Sequence, residues 1–156
     1  MMDSKELAKL NKKLHKIGNE LIEQTKTIDH EVTQWLVIGA NKIRNTIILS
    51  MRNTPKNGIH YKRGKKTHKS SSKGNPPAID SGDLIRSIIF DARDLEVEVG
   101  SIIEIPAYPT FLEFGTDKMD ARPWLDPAVK KHEDEIVNNV GKGIFEIIGK
   151  PFEGTK

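Results

Sequence analysis

Seven cations and no acid fall between Asn53 and Ile79: Lys56, Lys62, Arg63, Lys65, Lys66, Lys69 and Lys73. Like charges at that density repel unless an anion lies close by. The chemistry they suit is sequence-blind, salt-dependent contact with DNA phosphates, led by Lys62, Arg63, Lys65, Lys66, Lys69 and Lys73. The plainer alternative is a solvated loop. A second set of charges, Glu113 and Arg122, sits among bulky apolar residues between Tyr108 and Ala128. A buried carboxylate needs partners, which Arg122 or nearby backbone N–H groups supply, and the two side chains are expected to pair.

Asp80-Ser81-Gly82 has the form of the catalytic triplet of retroviral-type aspartic proteases, where two aspartates from a dimer share a proton. Ile147-Ile148-Gly149 resembles the apolar-apolar-Gly that supports such a site. Against this, Pro76-Pro77 precede the triplet where that fold needs a continuous apolar strand, and no Gly-rich flap follows. Asp80 and Ser81 are therefore read as turn formers, with Gly82 taking a backbone angle that other residues resist. The histidines, at 15, 30, 60, 68 and 132, are scattered singly and form no helical His-x-x-x-His pair. In His132-Glu133-Asp134 neighbouring side chains diverge around a helix. No Gly-rich segment has the spacing of a phosphate cradle, and the absence of cysteine removes disulfides, thiolate zinc sites and Cys nucleophiles. No catalytic residue, cofactor, metal or small-molecule substrate is expected.

The elements that must position these residues follow from periodicity. Leu7, Leu10, Leu14, Ile17, Leu21, Ile28, Val32, Trp35, Gly39, Ile43 and Ile47 recur at steps of three, four and seven. This predicts a helix of up to about 48 residues, roughly 70 Å long, capped by Asp3 or Ser4 and ended by Pro55, unless it breaks near Thr27–Asp29. Its first half carries a narrow seam flanked by Lys9, Lys12, Lys13, Lys16, Glu20 and Glu23, and calls for cover from its own flank or a neighbouring subunit. Its second half, from Trp35 to Leu49, has a wider apolar face. Asn53–Ile79, with its glycines and serines, reads as a long mobile loop. Ile79–Leu84 reads as a turn into a strand covering Ile85–Phe90. Ala92-Arg93-Asp94 connects it to a second strand, where Leu95, Val97 and Val99 alternate with glutamates. Ile102–Ile105 continues that strand or adds another. Tyr108–Ala128, rich in aromatics in a chain only 6% aromatic, reads as a compact elbow pinned into the core. A final helix starts with Asp126 as cap and Pro127 at its first position. It buries Val129, His132, Ile136, Val140, Ile144 and Ile147, is weakened by Gly141 and Gly143, and stops at Gly149-Lys150-Pro151. The class is α+β: a long N-terminal helix, a small antiparallel sheet and a C-terminal helix.

The 156 residues suit one domain, divided into a helical segment (1–52), a basic flexible loop (53–79) and a body (80–156). The net charge is +3, a mild excess that does not by itself imply nucleic-acid binding. The charged, amphipathic start lacks a signal-peptide core, and no apolar run nears the roughly 20 residues of a membrane span, so a soluble chain without membrane contact is expected.

Two blocks carry a resemblance. Tyr108, then Glu113-Phe114-Gly115-Thr116, then Ala121-Arg122-Pro123-Trp124-Leu125, Pro127 and Ala128 are similar to the signature of the head–tail joining, or tail-completion, proteins in the neck of long-tailed double-stranded DNA bacteriophages. The block GNPPAIDSGDLIRSI from Gly74 to Ile88, with Asp80, Gly82 and Leu84, also resembles that family, and the two occur in the family's order. Ser81 stands where the family usually has Thr, and Pro109 where it usually has a small residue. The resemblance implies a structural virion protein, made in the bacterial cytoplasm, that forms a ring of six between head-closure and tail-terminator or tail-tube proteins. The basic loop would then face the DNA channel or a neighbouring ring. The alternative reading is a non-specific nucleic-acid-binding module that uses residues 56–73.

Overall fold

No proline interrupts the chain before Pro55, and one unbroken helix results, α1 (Ser4–Asn53). At 1.5 Å per residue its 50 residues extend about 75 Å. The computed structural model describes residues 4–149; the expected cap at Asp3 and stop at Pro151 lie outside them. No break occurs at Thr27–Asp29. Thr25, Thr27 and Thr33 instead donate their hydroxyls to the carbonyls of Leu21, Glu23 and Asp29, one turn back.

The rest of the α+β architecture follows along the chain. A hairpin of β1 (His60–Arg63) and β2 (Lys66–Lys69) comes first. Next are a short helix, α2 (Asp83–Ser87), and a second hairpin of β3 (Ile88–Arg93) and β4 (Glu96–Ser101). Helices α3 (Tyr108–Phe114) and α4 (Asp126–Ile148) complete it. Both sheets are two-stranded and antiparallel. Among the described residues, no helix is long and apolar enough to cross a membrane.

Several sequence expectations are corrected here. The basic stretch is not loop throughout: Gly64, with φ 60°, lets the chain reverse between β1 and β2. The expected strand from Ile85 is helical up to Ser87, where the Ser87 hydroxyl donates to the Leu84 carbonyl. Ala92 and Arg93 are strand residues paired with Val97 and Glu96. The turn falls at Asp94-Leu95, with Asp94 at φ 51°, a conformation Asp tolerates better than most. Ile102–Ile105 forms no strand and leads into a cis Ile105–Pro106 peptide.

Helix α4 runs antiparallel along the second half of α1. Thr46 shares a 2.7 Å hydrogen bond with His132, Lys42 pairs with Glu135, and Gly143 lies against Trp35. The β3–β4 hairpin lies along another side of α1: Arg44 donates to the Ile88 carbonyl, and Thr33 to the carbonyl of Asp94 at the hairpin turn. Ile43, Ile47, Met51, Ile88, Trp124 and Ala128 form the core, with Leu84, Leu112, Val129 and Ile136 packed around them. By this register α4 ends level with about residue 30 of α1. The first 26 or so described residues of α1 therefore project roughly 39 Å beyond it.

The helices approach closely at Gly39, where an added Cβ would stand 2.5 Å from a side-chain carbon of Ile136. Gly39→Val is expected to lose about 1–3 kcal/mol by overpacking. Gly18→Ala, which meets nothing within 4 Å, should gain about 0.5–1 kcal/mol from helix propensity. Chemical denaturation of both variants checks the pair, and a Gly39→Val protein as stable as wild type would contradict the close crossing.

Candidate functional site

Glu113, in the last turn of α3, is buried, and its carboxylate faces the start of α4. Its Oε2 accepts from the backbone N–H of Trp124 at 2.7 Å and of Leu125 at 2.9 Å, while Oε1 accepts from that of Asp126 at 3.0 Å. No residue of the helix caps its own N-terminus through a side chain. The carboxylate therefore takes both the orphan donors and the positive end of the helix dipole. Helix α4 begins at Asp126 itself, with Leu125 in the capping position, one residue earlier than expected. Pro127 is therefore the second helical residue and not the first.

Arg122 does not pair with Glu113. Its guanidinium is buried but turns towards the segment after β2, donating to the Ser71 carbonyl and the Ser70 hydroxyl at 3.3 Å and to the Asp120 carbonyl at 3.4 Å. The two charges are satisfied separately because backbone N–H groups reach Glu113 first. The elbow closes through further bonds, from Arg122 N–H to the Leu112 carbonyl and from the Trp124 indole to the Pro109 carbonyl. Thr116 and Met119 exchange backbone bonds across the tip. Gly115 is irreplaceable there: φ is 77°, and a Cβ would meet Ala121 N and Met119 O at 2.9 Å.

The elbow is only partly pinned into the core. Trp124 is buried, Leu112 packs beside it, Tyr108 and Pro123 are half-buried, and Pro127 is exposed. Phe111 and Phe114 turn outward, Phe114 being 79% exposed, and Ile105, before α3, is 92% exposed. The helical spacing of α3 puts Glu113 and Pro109 on its buried side and leaves Phe114 no interior to enter.

Asp80 organises the second half of the site. Its Oδ2 accepts from Tyr61 at 3.1 Å and Arg63 at 3.0 Å, and His68 Nδ1 lies 2.5 Å from Oδ1. Partial burial pushes this carboxyl upward, but the hydrogen bonds of Arg63 and Tyr61 and the charge of His68 outweigh it and hold the pKa below the ordinary Asp value. Burial, and then the Asp80 charge, raise the Tyr61 hydroxyl. Tyr61 and His68 face each other across the hairpin with stacked rings 5.6 Å apart. Gly82 holds φ 84° before α2, Ser81 donates to Asp83, and Leu84 packs into the core. An aspartate fixed in its ionised form by arginine suits a clamp rather than a proton-sharing dyad. Ile147–Gly149 lies about 34 Å along α4 from the elbow, so the two halves of the protease-like pattern do not meet.

This clamp sorts the basic residues. Arg63 is held by Asp80 and Asp83, and Lys73 pairs with Asp120 at 2.9 Å. Tyr61, His68, Arg63 and Lys66 share the hairpin face turned towards Asp80; His60, Lys62, Thr67 and Lys69 share the other, and Lys65 sits in the turn. The sequence does not single out Tyr61 and shows His68 only as one of its scattered histidines, although Gly64 between two four-residue runs is a hairpin signal.

A cleft of about 760 Å³ opens between the hairpin, the Asp80 turn and α3. Its lining is mostly apolar and includes Ile79, Leu84, Tyr108, Phe111 and Met119, with Arg122 and Ser71 among its polar residues. Both sequence blocks thus line one space. Among the described residues no group of three His, Asp or Glu could hold a metal ion. Protein-family models, curated proteins and solved structures yield no match to this chain.

Removing the Glu113 charge leaves three N–H groups facing an amide. Glu113→Gln is expected to cost about 3 kcal/mol, read from urea midpoints. Stability equal to wild type would refute the capping role. Asp80 carries the opposite kind of test. Its folded pKa lies below its unfolded one, so its stabilisation is complete above about pH 3.9 and is lost as pH falls through the folded value. Amide protection factors in β1 and β2, taken relative to the intrinsic exchange rate at each pH, should therefore fall over that acid range, and Asp80→Asn should lower them at pH 7. Unchanged protection in both would remove the clamp.

Proposed function

We propose that this chain is a non-enzymatic structural protein of the neck of a long-tailed DNA phage. On this reading it forms a ring, of six copies by the resemblance, between head-closure and tail-terminator or tail-tube proteins. The observation that carries the reading is that the two separated sequence blocks resembling that family line one cleft and supply its structural switches. Gly74 N–H donates to the Ala121 carbonyl across the two blocks, Glu113 caps α4, and Gly115 and Gly82 hold positive φ. Residues with such backbone roles explain the motif without any catalytic function. Lys62, Lys65 and Lys69, which make no ion pair among the described residues, would meet the DNA backbone in the channel or a neighbouring ring.

A second reading, a free nucleic-acid-binding module, draws on the same lysines. It requires affinity in the isolated chain that falls steeply with salt, since each phosphate contact releases counterions. The deciding experiment is electron microscopy of lysates from the phage genome encoding this chain, with an early stop codon in the gene. Filled heads and tails accumulating unjoined, or tails with unfinished tops, are expected; normal infectious particles would overturn the neck role.

A further inference from the structure

The projecting half of α1 exposes Leu10, Leu14, Ile17 and Leu21, each 43–57% accessible. Their 4-3-4 spacing is a narrow seam of the kind a second helix covers. The seam continues through Ile28 onto Trp35 and Gly39, where the chain's own α4 already lies. The line thus has helical cover at one end and none from the described residues at the other. Helix α4 in turn shows a second apolar stripe, away from α1: Val137, Phe145 and Ile148, with 69, 81 and 64% exposure. Gly141 lies between Val137 and Phe145, where a Cβ would meet nothing within 4 Å. An open groove of about 560 Å³ runs beside these residues.

We propose that the projecting seam of α1 in one copy seats on the outer stripe of α4 in the next copy, with the gap at Gly141 receiving a Leu or Ile side chain. Leu10 to Leu21 and Val137 to Ile148 each cover eleven steps, about 16 Å, so the two stripes match in length. Leu10–Leu21 holds three lysines against one glutamate, whereas in Val137–Ile148 Lys142 and Glu146 balance, and Glu133 and Asp134 lie one turn before Val137. Neither stripe can meet its counterpart within one chain, because α1 runs straight past the end of α4. The contact is therefore head-to-tail, the type that closes into a ring when the rotation allows. It deepens the ring reading above and rests on it for closure, while the contact itself is tested in isolation.

The test uses purified full-length chain at micromolar concentration, sized by light scattering after gel filtration. Leu14→Asp/Leu21→Asp breaks one stripe and Phe145→Asp the other. All three positions are exposed, so circular dichroism should match wild type. Wild type should run larger than a dimer and each variant alone as a monomer. Their equimolar mixture should stop at two subunits, because one intact stripe of each kind remains. A monomeric wild type overturns the proposal, as does a mixture that stays monomeric. Assembly by Phe145→Asp at wild-type size also overturns it and would assign the α1 seam to pairing with itself. Head-to-tail assembly together with normal particles from the stop-codon lysate would remove the neck role and leave this contact standing.

Discussion

One carboxylate sets the geometry of the body. By taking three successive backbone N–H groups, Glu113 fixes where α4 begins and at what angle it leaves α3. The intervening chain from Gly115 to Pro123 then has to turn tightly. The positive φ of Gly115 and the bond from Arg122 N–H to the Leu112 carbonyl make that turn possible. The indole of Trp124, adjacent to the captured N–H groups, drops onto Ile43, Ile47 and Met51 of α1. Electrostatics at the helix terminus and burial of the largest core side chain thus come from consecutive residues. The charge is tolerable in the interior because its partners are oriented dipoles that need no second buried ion.

The same economy governs the other side of the cleft. Asp80 gathers a tyrosine, an arginine and a histidine from one hairpin, and Arg122 reaches the serines that follow it. A segment with seven cations is thereby anchored by two of its aromatic and imidazole rings and one guanidinium. Most of its lysines remain in water, where their charge costs little. Lys62 and Lys69 lie on the hairpin's outer face and Lys65 in its turn, held at fixed spacing by the strand register.

The elements with a strong period were legible in the sequence. The α1 seam, the α4 face and the Val97–Val99 alternation each produced the element expected, and the proline after α1 marked its end. Short elements were misread for physical reasons. Asp83–Ser87 is too brief to show a helical period, and Ile85 is equally at home in a strand. Helix α3 was hidden because its proline, its aromatics and the glycine that follows it read as loop punctuation. At the site, Glu113 and Arg122 were recognised as buried, but opposite charges invite pairing on paper. Only the backbone path shows that α4 presents its N–H groups to the carboxylate. The link from Asp80 to Tyr61 and His68 depends on hairpin register, which no local composition encodes.

The projecting α1 also acts mechanically, as a cantilever. Its free length of roughly 39 Å turns a tilt of about 10° at its root into a displacement of about 7 Å at its tip. The root lies near residue 30, and Gly39, about 14 Å further in, lets α1 and α4 lie close together behind it. A glycine deep in the body therefore influences where the far end of the molecule lies.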